Sequence, residues 1–146
     1  MNIKVEIDEY YMAKAKVRQE ELPIVFYICW EYEGLSYPMD VWSDCGIVIL
    51  GWWIRVISEL LEGSGTSDFV FMDGPYSIKA RYNAETVMVE LAPKGLDITW
   101  QVLLTDIVKE LIDATDTIYR ELTKMQIREK DRIDLEKYLV ILRGYL

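Results

Sequence analysis

WQVLLTDIVKELIDATDTIYRELTKM, residues 100–125, is the longest coherent stretch of the chain, and the rest reads as covering its apolar side. Trp100, Leu103, Leu104, Ile107, Val108, Leu111, Ile112, Ile118, Leu122 and Met125 recur at helical spacing with polar residues between them. The spacing predicts one helix over the whole stretch, uninterrupted by Gly or Pro. Thr99 is its expected N-cap, with Asp97 and Asp106 at the positive end and Arg120 and Lys124 at the negative end. At about 1.5 Å per residue such a helix runs roughly 40 Å, the width of a domain of this size.

Working outward, most of what precedes this stretch reads as strands. Ile3, Val5 and Ile7 alternate with charged residues, and Tyr11, Ala13, Ala15 and Val17 do the same over 11–18. Ile24 to Glu33 is a third strand with Phe26, Ile28, Trp30 and Tyr32 on one face and Tyr27, Cys29, Glu31 and Glu33 on the other. Gly34 permits a turn into a short strand or loop over 36–39. A helix follows, with Ser43 or Asp44 as N-cap, a stripe of Ile47, Leu50, Ile54, Ile57 and Leu61 widened by Trp53 and Leu60, and Gly63 as the αL stop. Of the Trp52-Trp53 pair, one ring is expected on the sheet and the other against the second helix or an interface.

Phe69–Met72 reads as a strand ended by the turn Asp73-Gly74-Pro75. Two alternating runs then form a hairpin with its tip at Asn83-Ala84, which places Ala80 opposite Val87, Ile78 opposite Val89 and Tyr76 opposite Leu91. Beyond the long helix, Asp131 can cap a last one carrying Leu135, Tyr138, Leu139 and Leu142, stopped near Gly144. The expectation is a single α+β domain over 1–146: an antiparallel sheet of about five to seven strands with two or three helices packed on one face.

A chain of 146 residues, 51% hydrophobic and 28% charged, can bury a core without staples. The first ten residues lack the apolar core of a signal peptide, and Ile47–Ile57 is too short to span a bilayer. Cys29 and Cys45 lie 16 apart with no C-x-x-C spacing, which fits reduced, buried thiols in the cytoplasm.

The distribution of charge is more telling. The chain carries −9; residues 99–146 hold eight bases and nine acids, whereas residues 1–98 hold eight bases and sixteen acids. Between Arg18 and Arg55 there is no base, while Glu20, Glu21, Glu31, Glu33, Asp40 and Asp44 fall there, interleaved with Tyr27, Trp30, Tyr32, Tyr37 and Trp42. Such a chain repels nucleic acid and anionic membranes and attracts a basic protein.

Motifs for catalysis are missing. With no histidine, Ser-His-Asp and Cys-His arrangements are excluded. Gly63-Ser64-Gly65 is not followed by the Lys-Ser/Thr of a phosphate loop. Asp106, Glu110 and Asp113, with Asp116 nearby, could hold a divalent cation only if further carboxylates converged from another element; as they stand they read as a solvated helix face. The expectation is a non-enzyme with no metal and no cofactor.

The acidic, aromatic stretch from Glu20 to Asp44 has the composition of a recognition surface, in which Tyr and Trp supply rigid contact area and carboxylates speed and select a basic partner. In size, acidity, aromatic content and lack of catalytic motif the chain resembles the small acidic immunity proteins of bacterial toxin–immunity systems. That resemblance implies a protein that binds and neutralises a cognate, basic toxin domain. Tyr27, Glu31, Glu33, Tyr37, Asp40, Trp42 and Asp44 are the expected partner-binding residues. The other readings are an adaptor or regulatory protein binding another protein or a basic peptide, and an enzyme or ligand carrier working through carboxylates and tyrosines in a pocket.

Overall fold

The structure, a computed structural model, describes residues 1–8, 12 and 22–146. Its strands are β1 (Asn2–Glu6), β2 (Phe26–Tyr32), β3 (Leu35–Tyr37), β4 (Ser43–Asp44), β5 (Thr66–Val70), β6 (Ser77–Asn83), β7 (Met88–Pro93) and β8 (Trp100–Leu103). Its helices are α1 (Gly46–Glu62), α2 (Leu104–Met125) and α3 (Glu129–Arg143). The class is α+β with antiparallel strands, but the strands divide into two sheets of four rather than one. The strand expected over 11–18 lies outside the described residues, apart from Met12, which is buried in the core.

In the first sheet β2 is central. β1 pairs along one side of it (Asn2 opposite Glu31, Glu6 opposite Tyr27), and β3 and β4 follow each other along the opposite side. The turn from β2 to β3 is Glu33-Gly34, both with positive φ (48° and 80°), the two-residue hairpin geometry that matches strand twist. The second sheet is a meander, β5-β6-β7-β8. The expected hairpin is there, with its register shifted by four: Ala80 faces Leu91 and Tyr82 faces Val89. The connection is longer than the two residues expected. Asn83 Oδ1 accepts the N–H groups of Glu85 and Thr86, and Val87, left exposed, takes φ 55°. An even shift keeps the paired side chains on their faces, so Ile78, Ala80, Val89 and Leu91 are buried as expected, while Val87, expected inward, is left in the turn.

The long helix starts four residues later than its stripe implies. Trp100 and Val102 are buried while Gln101 and Leu103 are exposed, an alternation that belongs to strand β8 paired with β7. Leu103, not Thr99, is the N-cap. From Leu104 the helical phase holds, and Ile107, Val108, Leu111, Ile118 and Leu122 are buried. Thr115, buried in the same face, donates its hydroxyl to the Leu111 carbonyl at 2.7 Å. The last helix begins at Glu129 rather than behind Asp131; Asp131 instead accepts from the buried Arg128 guanidinium at 2.6 Å, which also donates to the Leu22 carbonyl at 2.7 Å. Leu135, Leu139 and Leu142 face inward.

Helix α1 is buried on most sides because it lies between the sheets and α3. Ile47, Leu50, Ile54 and Ile57 face inward with Trp53 and Leu60, but Leu61 is exposed. Cys45, not Ser43 or Asp44, is the N-cap, and Gly63 ends the helix at φ −103°, so its αL role is not used. Gly46 must be glycine: an added Cβ would stand 2.0 Å from the Phe26 ring, so the first turn of α1 rests directly on β2. Trp53 packs on the second sheet, edge-on to Phe71 at 5.2 Å, and donates Nε1–H to the Val70 carbonyl at 2.9 Å, whereas Trp52 is on the surface. Trp30 of β2 meets Trp53 and Phe69 at 5.5 and 4.8 Å, which locks the two sheets and α1 into one aromatic core.

Candidate partner-binding surface

The seven residues expected at a partner surface are set by β2 and the chain that follows it, and the structure divides them. Tyr27 and Glu31 lie on the outer side of β2, half-buried, between β1 and the β3/β4 strands. Glu33 stands exposed in the turn. Asp40 is exposed in the connection to β4. Lys4 reaches across from β1 to 3.7 Å from both Glu31 and Asp40, and Ser36 donates to Asp40 at 3.4 Å. Exposed pairs of this kind contribute little to stability, so the carboxylates remain available to a competing cation. Glu31, Tyr32, Glu33, Ser36, Asp40 and Asn2 line one shallow, open depression at this end of the sheet.

Tyr37 and Asp44 are not on that surface, which corrects their expected role. Tyr37 is 3% exposed, and its hydroxyl binds the second sheet: it donates toward the Ser77 and Lys94 carbonyls (3.1 and 2.9 Å) and accepts from Ser77 N–H (3.2 Å). Burial raises its pKa, with the Ser77 N–H, which donates to the phenol oxygen, opposing. Asp44 is wholly buried, and its carboxylate accepts from Cys45 N–H at 2.7 Å, Trp42 Nε1–H at 3.1 Å and Asp73 N–H at 3.2 Å. A buried carboxylate needs donors of this kind to offset lost hydration. Trp42 is half-buried, held by that bond and by an edge-on contact with Tyr76 at 4.9 Å. Gly74 lies against both rings, so the Asp73-Gly74-Pro75 turn is a packing element of this junction.

Sequence reasoning missed the apolar members of the surface. Leu35, Met39 and Val41 are 38%, 46% and 64% exposed in the same connection as Glu33 and Asp40. Their signal was apolar residues in a turn-rich connection, which a search for charge passes over. It also missed Lys4, which only strand pairing brings near.

The carboxylates of α2 do not converge. Glu110 turns to β1 and accepts the outward N–H of Ile3 at 3.1 Å, covering an edge donor of the first sheet. Asp116 pairs with Arg120 at 3.0 Å. Among the described residues no three potential ligands gather in a metal-holding arrangement. Nor, among them, is any helix long and apolar enough to cross a membrane.

Both cysteines are free thiols. Burial first, then the charge of Glu31, pushes the Cys29 thiol up to about 11. Burial, then Asp44, raises Cys45 as well.

Against known proteins, no family model, no curated protein and no solved structure matches the chain.

Proposed function

We propose that the chain is a cytoplasmic, non-catalytic inhibitor of the immunity type, which closes over a basic toxin domain with the outer end of its first sheet. The observation that carries this reading is that the connection from β2 to β4 exposes apolar and acidic side chains together: Leu35, Met39 and Val41 with Glu33 and Asp40, next to half-buried Glu31. Apolar side chains give such an interface its adhesion, and the ring of carboxylates selects and steers a cationic partner. Lys4 stands among these carboxylates, and along the chain Arg55 is the sole base between residues 22 and 78. Trp42, anchored at the margin, offers the large ring on which interface energy concentrates.

The test is co-expression with the C-terminal domain of a secreted protein encoded beside it. The expected result is a stable complex and restored growth of cells that otherwise succumb to that domain. Association should slow as salt rises from about 0.05 to 0.5 M, because the Debye length falls from roughly 14 to 4 Å. No complex and no protection would overturn the reading.

A further inference from the structure

Leu35 differs from the other exposed residues of the candidate surface in the direction it faces. It shares one face of β3 with Tyr37 and by register stands opposite Tyr32 of β2, so the three share the face turned to the second sheet. Both neighbours make contact there. The Tyr32 ring stacks on Trp100 at 5.3 Å, and the Tyr37 hydroxyl reaches the Lys94 carbonyl at 2.9 Å. Leu35 therefore borders the connection from β7 to β8, whose two ends those contacts hold. That connection is apolar at its surface: Leu96 and Ile98 are 42% and 41% exposed. It is also ordered. Leu96 N–H donates to the Pro93 carbonyl at 3.2 Å with Gly95 at φ 88°, a type II turn, and Lys94 N–H donates to the Ser77 carbonyl at 2.9 Å.

We propose that this seam, with Leu96 and Ile98 at its far side, is the second half of the partner surface, so that the basic domain straddles the β2–β3 hairpin and touches both sheets. The proposal rests on the inhibitor reading and completes its surface. Size argues for it. A standard interface takes about 20–30 residues from each side, more than Asn2, Lys4, Tyr27 and residues 31–42 supply. Neighbouring surface has to contribute, and the seam is the surface that Leu35 borders. The two halves then do different things. Lys94 and Asp97 balance, so the seam adds no net charge to the carboxylates of the first half. Those carboxylates govern encounter, whereas Leu96 and Ile98, beside a stacked and rigid aromatic pair, supply the apolar contact that holds the complex once formed. The partner that fits is a domain carrying an apolar patch next to its cationic one.

The test is hydrogen exchange of the full chain, alone and with the C-terminal domain encoded beside it, joined to the binding kinetics of a Leu96→Ser, Ile98→Ser double variant. Backbone amides of residues 94–99 should exchange more slowly in the complex, together with those of 31–41. The double variant should keep the parent's thermal melt, because both side chains are already exposed. Its dissociation should quicken by about tenfold or more, with association and its salt dependence little changed. Leu96→Met with Ile98→Val should keep the parent's dissociation rate. Protection confined to 31–41, or an unchanged dissociation rate in the serine variant, would overturn this proposal and leave the inhibitor reading standing. Failure of the parent chain to form any complex would overturn both.

Discussion

The junction between the two sheets and the contact between α2 and α3 are held by opposite means. At the junction, Tyr37 and Asp44 supply a hydroxyl and a carboxylate that bind backbone groups of the β5–β8 sheet, including the turn between β5 and β6. Between α2 and α3 the inward residues are Ile118, Leu122, Leu135, Leu139 and Leu142. Directional bonds fix where two layers sit relative to each other, and apolar contact supplies most of the free energy that keeps them together. The difference teaches that an acidic, tyrosine-rich segment can be surface and internal fastening at once. Residue type alone does not say which member does which.

The comparison can be broken at its apolar side first. Leu111 is wholly buried on α2, and Leu111→Ala should cost about 2–5 kcal/mol in urea unfolding. A loss below about 1 kcal/mol would show that the helix layer is not where stability resides. The polar side predicts a smaller effect. Asp44→Ala leaves three N–H donors unpaired and should cost about 3 kcal/mol, and Asp44→Asn, which keeps one oxygen, about half as much. Equal stability of both variants and the parent would mean that water replaces the carboxylate and that the junction is not fastened there.

Surface members of the same segment should behave differently again. Glu31→Lys with Glu33→Lys should change stability by no more than about 1 kcal/mol, the upper range for an exposed ion pair such as Glu31 with Lys4. The same pair of changes should slow association with a basic partner markedly. Trp42→Ala should lose about 2 kcal/mol of affinity if the ring is an anchor. A double-lysine variant that unfolds would assign these glutamates to the fastening set with Asp44.

The smallest effect is chemical. Cys29 has its folded pKa raised to about 11, so the neutral thiol is favoured in the fold. That contribution is complete below the unfolded pKa of about 8.5 and is lost as pH climbs toward 11. Native protein at about pH 8 should therefore label slowly at Cys29 and sooner at the less buried Cys45. Rapid labelling of Cys29 would show that its strand opens locally.

Much of the fold was legible because alternation and helical spacing are imposed by burial itself. The inward faces of β2, β6 and β7 and of α1, α2 and α3 follow the pattern of the residues. The failures share a cause. At Trp100–Leu103 the side chains satisfy both periods, and only pairing with β7 decides for strand. In the β6–β7 hairpin a four-residue shift preserves the face of every paired residue, so periodicity cannot detect it. In the candidate surface, Glu31, Glu33 and Asp40 could be placed by strand phase and turn composition. Tyr37 and Asp44 could not, since what holds them is the segment Asp73–Ser77, 29 residues on from Asp44 and 40 from Tyr37.

Gly46 has a consequence for the opposite face of β2. With the Phe26 ring lying where a side chain would be, and Trp30 wedged between Trp53 and Phe69, the strand has no room to shift or tilt beneath its outer residues. On the proposed reading, a protein settling on Tyr27 and Glu31 would meet groups whose backbone is already ordered. Little configurational freedom would be left to surrender on contact, and association would be governed by collision and charge.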